Sequence, residues 1–244
     1  MTMNSFANKE YLARIRGGDF AHPGEEEAID LVLSYLRPRS GETVLDAGCG
    51  RGATADAIRK KTSADVIGVD LDAQSIGYAK ATYPGTRFEA ADITMLGEMA
   101  LPKIGAIYAF NSLYACADLD GCFSAFRRIS NAGARAGVFD YIAYDADALA
   151  DSNCLPSSVH TTAEMRQIPE RHGWACTGIV NLDLDYAIWY RRFLSRMDEN
   201  RAMLSAVRTP DFFDEVRKTY ADMLHCLEQG TLGAALHTYV QVDA

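Results

Sequence analysis

No run in the 244 residues is long and apolar enough to span a membrane, and the first residues show no signal-peptide pattern. These absences read as a cytoplasmic chain with no membrane partner. Basic residues are also short: 24 Lys and Arg stand against 33 Asp and Glu, a net charge of −9 at pH 7. Nucleic-acid binding needs a basic surface to neutralise phosphates, so nucleic acid is excluded as a partner. A small neutral or cationic ligand is compatible with this charge. The six cysteines (49, 116, 122, 154, 176 and 226) form no C-x-x-C pair and no cluster with histidine. They read as scattered thiols of a reducing compartment, with no metal site. Internal repeats and low-complexity segments are missing too. What is present is a hydrophobic share of 48%, enough for the core of one α/β domain with a modest addition.

The most informative stretch is Val44–Gly52, V-L-D-A-G-C-G-R-G. Val44 and Leu45 belong to a short apolar strand. Gly48, Gly50 and Gly52 follow at alternate positions, and a helical run, 53–61, comes next. Glycine allows the tight turn and lets a ligand approach the backbone. The pattern predicts a strand–loop–helix unit holding a nucleotide-like cofactor. Gly48, Gly50 and Ala53 also fit the loose dinucleotide pattern G-x-G-x-x-G/A. Asp46, two residues before the first glycine, argues against it, because its carboxylate would repel a pyrophosphate.

The stretch resembles motif I of class I S-adenosylmethionine-dependent methyltransferases, V-L-D-x-G-C-G-x-G, without a gap. That cofactor carries a sulfonium, an amine and a carboxylate but no phosphate. The resemblance implies that Asp46, Ala47, Gly48, Cys49 and Gly50 hold it, with S-adenosylhomocysteine as product. It also implies a Rossmann-like α/β fold: a doubly wound, mostly parallel seven-stranded sheet with an antiparallel last strand.

Later elements follow in the expected order. Asp65–Asp70 is a second apolar run ending in an acid, where a ribose diol is hydrogen-bonded; dinucleotide folds share this acid, so it supports a nucleoside ligand without choosing between cofactors. Leu71, Asp72 and Gln74 open a helix that Pro84-Gly85 stops, and Leu71 and Gln74 join the cofactor set. Residues 87–92 read as a third strand. By the resemblance, Asp92 and Ile93 meet the adenine. Residues 104–111 form a fourth strand, 118–130 a helix and 135–142 a fifth strand. Asn131-Ala132-Gly133 is the turn between them, N-A-G-A where the family often has K-P-G-G.

Two regions lie outside this core. Residues 7–15 and 25–36 read as helices around a glycine-rich loop, 16–24. The layout is similar to the N-terminal region of phosphoethanolamine and sarcosine/dimethylglycine methyltransferases. That similarity implies a lid, with Tyr11 covering the site and Ala21 and His22 near the cofactor carboxylate. Toward the C-terminus, 162–172, 185–196 and 211–229 read as helices, and 174–183 and 234–242 as strands. The expected organisation is a lid over 1–40, a cofactor core over 41–183, a helical cap over 184–232 and a final core strand over 233–244. A helical insertion there folds over the strand ends and encloses a small substrate.

Methyl transfer is an in-line displacement, so orientation and exclusion of water carry most of the rate. Asn111 is assigned to the cofactor side and Tyr114 to the substrate side. Tyr141, with Asp140, ends the fifth strand, and Tyr186, Trp189 and Tyr190 offer an aromatic wall. Aromatic faces with acids suit an amine or ring nitrogen. A hydroxyl or carbon acceptor needs a base, for which His22 or Tyr114 is available. A nicotinamide oxidoreductase and a non-catalytic S-adenosylmethionine-binding protein are the readings from other classes. Monomer and homodimer both stay open.

Overall fold

The computed structural model describes residues 5–152 and 159–242. The chain starts with two helices, α1 (Phe6–Arg16) and α2 (Glu25–Leu36). Five strands follow: β1 (Thr43–Ala47), β2 (Asp65–Asp70), β3 (Arg87–Ala90), β4 (Ile104–Phe110) and β5 (Ser130–Ala143). Helices α3 (Ala53–Thr62), α4 (Ala73–Thr82) and α5 (Leu119–Ile129) connect them. Short 3-10 turns, Ile93–Glu98 and Leu113–Ala115, follow β3 and β4. Next come α6 (Ala146–Ser152), α7 (Glu164–Arg171) and β6 (Trp174–Asn181). Helices α8 (Asp183–Glu199), α9 (Arg201–Val207) and α10 (Pro210–Gln229) precede β7 (Leu232–Gln241).

The seven strands form one sheet in the order β3-β2-β1-β4-β5-β7-β6. The first five pair in parallel, and β7 runs antiparallel between β5 and β6. The strand order reverses between β1 and β4, which opens a crevice at their carboxyl ends. Both faces of β4 are buried: Ala106, Tyr108 and Phe110 face one apolar cluster, Ile107 and Ala109 the other. Burial on both sides explains why the parallel strands read as continuous apolar runs. The first cluster holds α1, α2 and the α8–α10 helices; the second holds α5 and α7.

Local signals explain the helix ends. Thr209 caps α10 by accepting the Phe212 N–H at 3.2 Å, and Gly230 ends it at φ 71°. Asp118 caps α5 by accepting the Gly121 N–H at 2.8 Å. Three sequence expectations change. Residues 131–133 belong to β5, with a register shift opposite Ile104 and Ala106, and are not a turn before it. β3 stops at Ala90, and Asp92 instead caps the following 3-10 turn through the Thr94 N–H at 2.9 Å. Helices α6 and α9 were not anticipated, since each spans only seven residues. Among the described residues no helix is long and apolar enough to cross a membrane.

Candidate active site

The glycine loop after β1 needs the backbone angles it adopts. Gly48, Gly50 and Gly52 have φ of 93°, 53° and 88°. A Cβ on Gly48 would lie 2.3 Å from the Ser112 Cβ, so β4's following turn closes on the loop here. One on Gly52 would meet Phe88 and Ala79 at 2.7 and 2.8 Å. One on Gly50 would meet nothing within 4 Å, because that residue faces open space. The loop is fixed to β2 by main-chain bonds. Gly48 and Cys49 both donate to the Val69 carbonyl at 2.8 Å. Gly50 donates to Asp70 Oδ2 at 2.8 Å, and Asp72 donates to Asp70 Oδ1 at 2.9 Å. Lys9 of α1 also reaches Asp70 Oδ1, at 3.3 Å.

A cavity of about 1070 Å³ lies over these strand ends. Gly48, Gly50, Asp70, Leu71, Asp92 and Ile93 line one end. Tyr114, Tyr141, Trp189, Tyr190, Tyr220 and Met223 contribute the aromatic part of the wall. Lys9, Leu12, Arg16 and Ala21 reach it from the N-terminal segment.

The turn after β4 joins the two ends. Asn111 is left-handed at φ 45°. Its Oδ1 accepts the Tyr186 hydroxyl at 3.1 Å, while its Nδ2 is buried without a partner among the described residues. Ser112 Oγ donates to the Ala47 carbonyl at 2.6 Å. Asp140, buried at 2% exposure, accepts the N–H groups of Ser112, Tyr114 and Tyr141 at 3.2, 3.0 and 2.8 Å. Burial pushes its carboxyl up to about 7, against the opposing effect of those donors. Tyr141 and Tyr190 join hydroxyl to hydroxyl, and burial raises both phenols well above their usual range. The Tyr114 ring meets that of Tyr141 edge-on at 5.1 Å.

Of the residues singled out from sequence, Ala21, Gly48, Gly50, Asp70, Leu71, Asp92, Ile93, Asn111, Tyr114 and Tyr141 stand on the cavity wall. Six do not. His22 is 1% exposed, stacked on Phe110 at 4.2 Å, with ring nitrogens 3.1 Å from Thr54 Oγ1 and 3.2 Å from the Pro23 carbonyl. Burial lowers its pKa to about 4. It sits behind the wall, which removes it as a base for the acceptor. Tyr11 is buried edge-on against Phe212 at 5.1 Å, and its hydroxyl has no partner among the described residues. Asp46 and Ala47 lie inside β1 under the loop, and Cys49 packs its sulfur beside Gly68. Gln74 is exposed, and its N–H caps α4 on Asp72 at 3.1 Å.

Burial raises the Asp46 pKa well above the usual carboxylate range, against the opposing effect of the Tyr108 hydroxyl. The orphaned donor of Asn111 stands on the cavity wall at the end of β4. With the open space beside Gly50, it fits a nucleoside carrying an amino-acid tail. Lys9 and Arg16 were missed in the sequence, although Lys9, Leu12 and Arg16 recur at helical spacing. The Arg16 guanidinium lies 5.9 Å from the Trp189 ring centre and 5.7 Å from that of Phe193. Tyr220 and Thr219 were missed because α10 reads as ordinary packing.

Comparison with known proteins agrees with this geometry. Residues 44–133 match the methyltransferase domain family. The chain is 28% identical over 145 residues to an O-methyltransferase of Pyrenophora dematioidea, covering 57% of this chain and 51% of that one. It therefore spans about half the length of that relative, and less of several others. The fold is shared with phosphoethanolamine N-methyltransferase 2 of Haemonchus contortus, solved with phosphomonomethylethanolamine and S-adenosylhomocysteine. The TM-score is 0.86 at 15% identity, covering 99% of this chain and 58% of that one. The cyclopropane synthase MmaA2 of Mycobacterium tuberculosis gives a TM-score of 0.85 at 14% identity, covering 98% and 96%.

Proposed function

We propose that this chain, which carries a class I S-adenosylmethionine-dependent methyltransferase domain, methylates a nitrogen of a small molecule, an amine or a ring nitrogen. The observation that carries the nitrogen reading is the position of His22. No histidine lines the cavity among the described residues, and His22 is held behind Phe110. A hydroxyl or carbon acid must lose a proton to become a nucleophile, whereas a neutral amine attacks first and releases its proton afterwards. The buried phenols of Tyr141, Tyr190 and Tyr220 all have raised pKa values, so they are poor bases. Their ring faces and the Glu215 carboxylate on the same wall suit a group that becomes cationic.

S-adenosylmethionine supplies an electrophilic sulfonium methyl when bound. The chain's own residues have three tasks in this reading. Asp70 accepts from the ribose hydroxyls, sharing its carboxylate with Lys9, while Asp92 and Ile93 take the adenine. The free Asn111 Nδ2 meets the amino-acid end, and Asp46 supports the glycine loop from beneath. The aromatic wall excludes water and fixes the acceptor behind the methyl, which is where orientation supplies rate. Residues 1–40 act as a lid and 184–232 as a cap. The protein works in the cytoplasm, as a monomer or homodimer, without nucleic-acid or membrane partners.

Transfer of labelled methyl from S-adenosylmethionine to a panel of amines, N-heterocycles, phenols, hydroxy acids and carbon acids tests this. Turnover of nitrogen compounds is expected. Turnover confined to phenols or carbon acids overturns the nitrogen reading. Binding of S-adenosylhomocysteine with no acceptor turnover anywhere in the panel favours a non-catalytic binding protein.

A further inference from the structure

Cys116 follows the short turn Leu113–Ala115, and Cys122 lies in the first half of α5. Their sulfurs are 3.0 Å apart. Cys122 is fully buried, whereas Cys116 is partly exposed and stands on the cavity wall. An oxidant entering the cavity therefore meets Cys116 first, with Cys122 directly behind it. A disulfide needs a sulfur separation of about 2.05 Å, so the pair must close by only about 1 Å.

We propose that Cys116 and Cys122 are a modification site, a thiol pair that a hydroperoxide converts to an intrachain disulfide in the wall of the cavity. The thiolate of Cys116 attacks the outer peroxide oxygen, the O–O bond breaks, and the peroxide leaves as alcohol or water. Cys116 is then a sulfenic acid. The Cys122 sulfur attacks the Cys116 sulfur, the S–O bond breaks, and water leaves with the Cys122 proton. Two thiols are oxidised by two electrons and one peroxide is reduced. A dithiol reductant reverses the bond. The contact itself favours the first step: with Cys122 as the donor it holds the Cys116 thiol below its ordinary range, against burial and the carboxylates of Asp92 and Asp118.

The bond changes the cavity because of where Cys116 is attached. Residues 116–118 line the wall together with Asp92, Ile93 and Thr94. The Cys116 carbonyl lies 3.1 Å from His160 Nε2, and Asp118 caps α5. Drawing the Cys116 sulfur toward α5 moves this segment away from the position it holds in the reduced chain. The effect on binding rests on the S-adenosylmethionine reading above; formation of the bond does not.

The pair falls on one tryptic peptide, 104–127, which contains no other cysteine. The reduced protein is treated with hydrogen peroxide, alkylated, digested without reductant and mapped by mass spectrometry. S-adenosylhomocysteine affinity is measured by calorimetry on both forms. Peptide 104–127 is expected to lose two hydrogens and to resist alkylation. The affinity is expected to fall by about tenfold, within the usual range of coupling between sites, and to return with dithiothreitol. In Cys122→Ala a sulfenic acid at Cys116, trapped by dimedone, replaces the disulfide. Its reduced form is expected to bind S-adenosylhomocysteine as the wild type does, and a melting curve checks its fold. Two alkylatable thiols in 104–127 after peroxide has oxidised other cysteines overturn the site. A Cys116–Cys154 link does the same. A 116–122 bond with unchanged affinity overturns its control of the cavity. If neither form binds S-adenosylhomocysteine, the cofactor reading fails, while the peptide map still decides the thiol pair.

Discussion

The carboxylate of Asp140 accepts the main-chain N–H of Tyr114 at 3.0 Å, across two strand ends. The same Oδ2 takes Ser112, and Oδ1 takes Tyr141. One buried acid thus fixes the turn that presents Asn111 to one end of the cavity and Tyr114 to the other. Asp140→Asn keeps the shape but turns an NH₂ group toward N–H donors. It is expected to cost about 1–3 kcal/mol, the range for a buried donor left unmet. S-adenosylhomocysteine affinity is expected to fall about tenfold through displacement of Asn111. Calorimetry and urea unfolding measure the two effects. Affinity equal to wild type removes Asp140 from the positioning of the site.

Asp70 carries the second prediction. Its oxygens already hold Gly50, Asp72 and Lys9, so it ties both loops and α1 to the nucleoside end of the cavity. Charge-assisted hydrogen bonds contribute about 1.5–3 kcal/mol each. Asp70→Ala is therefore expected to weaken S-adenosylhomocysteine binding by about ten- to a hundredfold. An unchanged dissociation constant would remove the ribose acceptor and, with it, the cofactor assignment.

Two glycine substitutions separate packing from ligand contact. Gly48→Ala puts a Cβ 2.3 Å from Ser112 at φ 93°, so both sterics and backbone oppose it. A loss of about 2–3 kcal/mol in stability is expected, together with loss of binding. Gly50→Ala meets no neighbour, at φ 53°. Its cost in stability is expected to be about 1 kcal/mol, that of a left-handed alanine. Its Cβ projects into the space assigned to the cofactor, so binding is expected to suffer far more than the melting temperature. A Gly50→Ala protein with intact S-adenosylhomocysteine affinity places the cofactor elsewhere.

The parts legible in the sequence are those decided by neighbours along the chain. Residues 44–52 and the acid at 70 mark strand ends, because glycine angles and helix starts are local properties. Residues 131–133 look like a turn, but pairing of β5 with β4 draws them into the strand. His22 looks like a loop residue open to the ligand; Phe110, 88 positions away, covers it by stacking. Tyr11 is taken by Phe212 in the same way. Arg16 reaches the cavity only because α8 brings Trp189 and Phe193 beneath it. Side chains placed by such distant partners leave no mark on their own segment.

The last prediction concerns pH. His237 is 1% exposed in β7, and both ring nitrogens lack partners among the described residues. Burial, helped by nearby Arg166, lowers its pKa to about 4, and burial does the same for His22. Unfolded, each histidine takes a proton near pH 6.5; folded, each stays neutral until about pH 4. The unfolded chain thus binds more protons throughout this window, and stability is lost as pH falls from 6.5 toward 4. The full window is worth about 3 kcal/mol per histidine. Asp140 acts in the opposite sense. Its raised pKa makes the folded chain bind the extra proton, so its contribution grows as pH falls through about 7. Wild-type stability is therefore expected to change less between pH 7 and 5 than the histidines alone require. Asp140→Asn is expected to expose the full acid loss. His237→Leu removes one titration and two unmet polar atoms, so it is expected to be more stable than wild type at pH 5 and at least as stable at pH 7. Urea midpoints of the three proteins at both pH values measure this. An acid loss in His237→Leu equal to that of wild type shows that His237 finds a proton while folded.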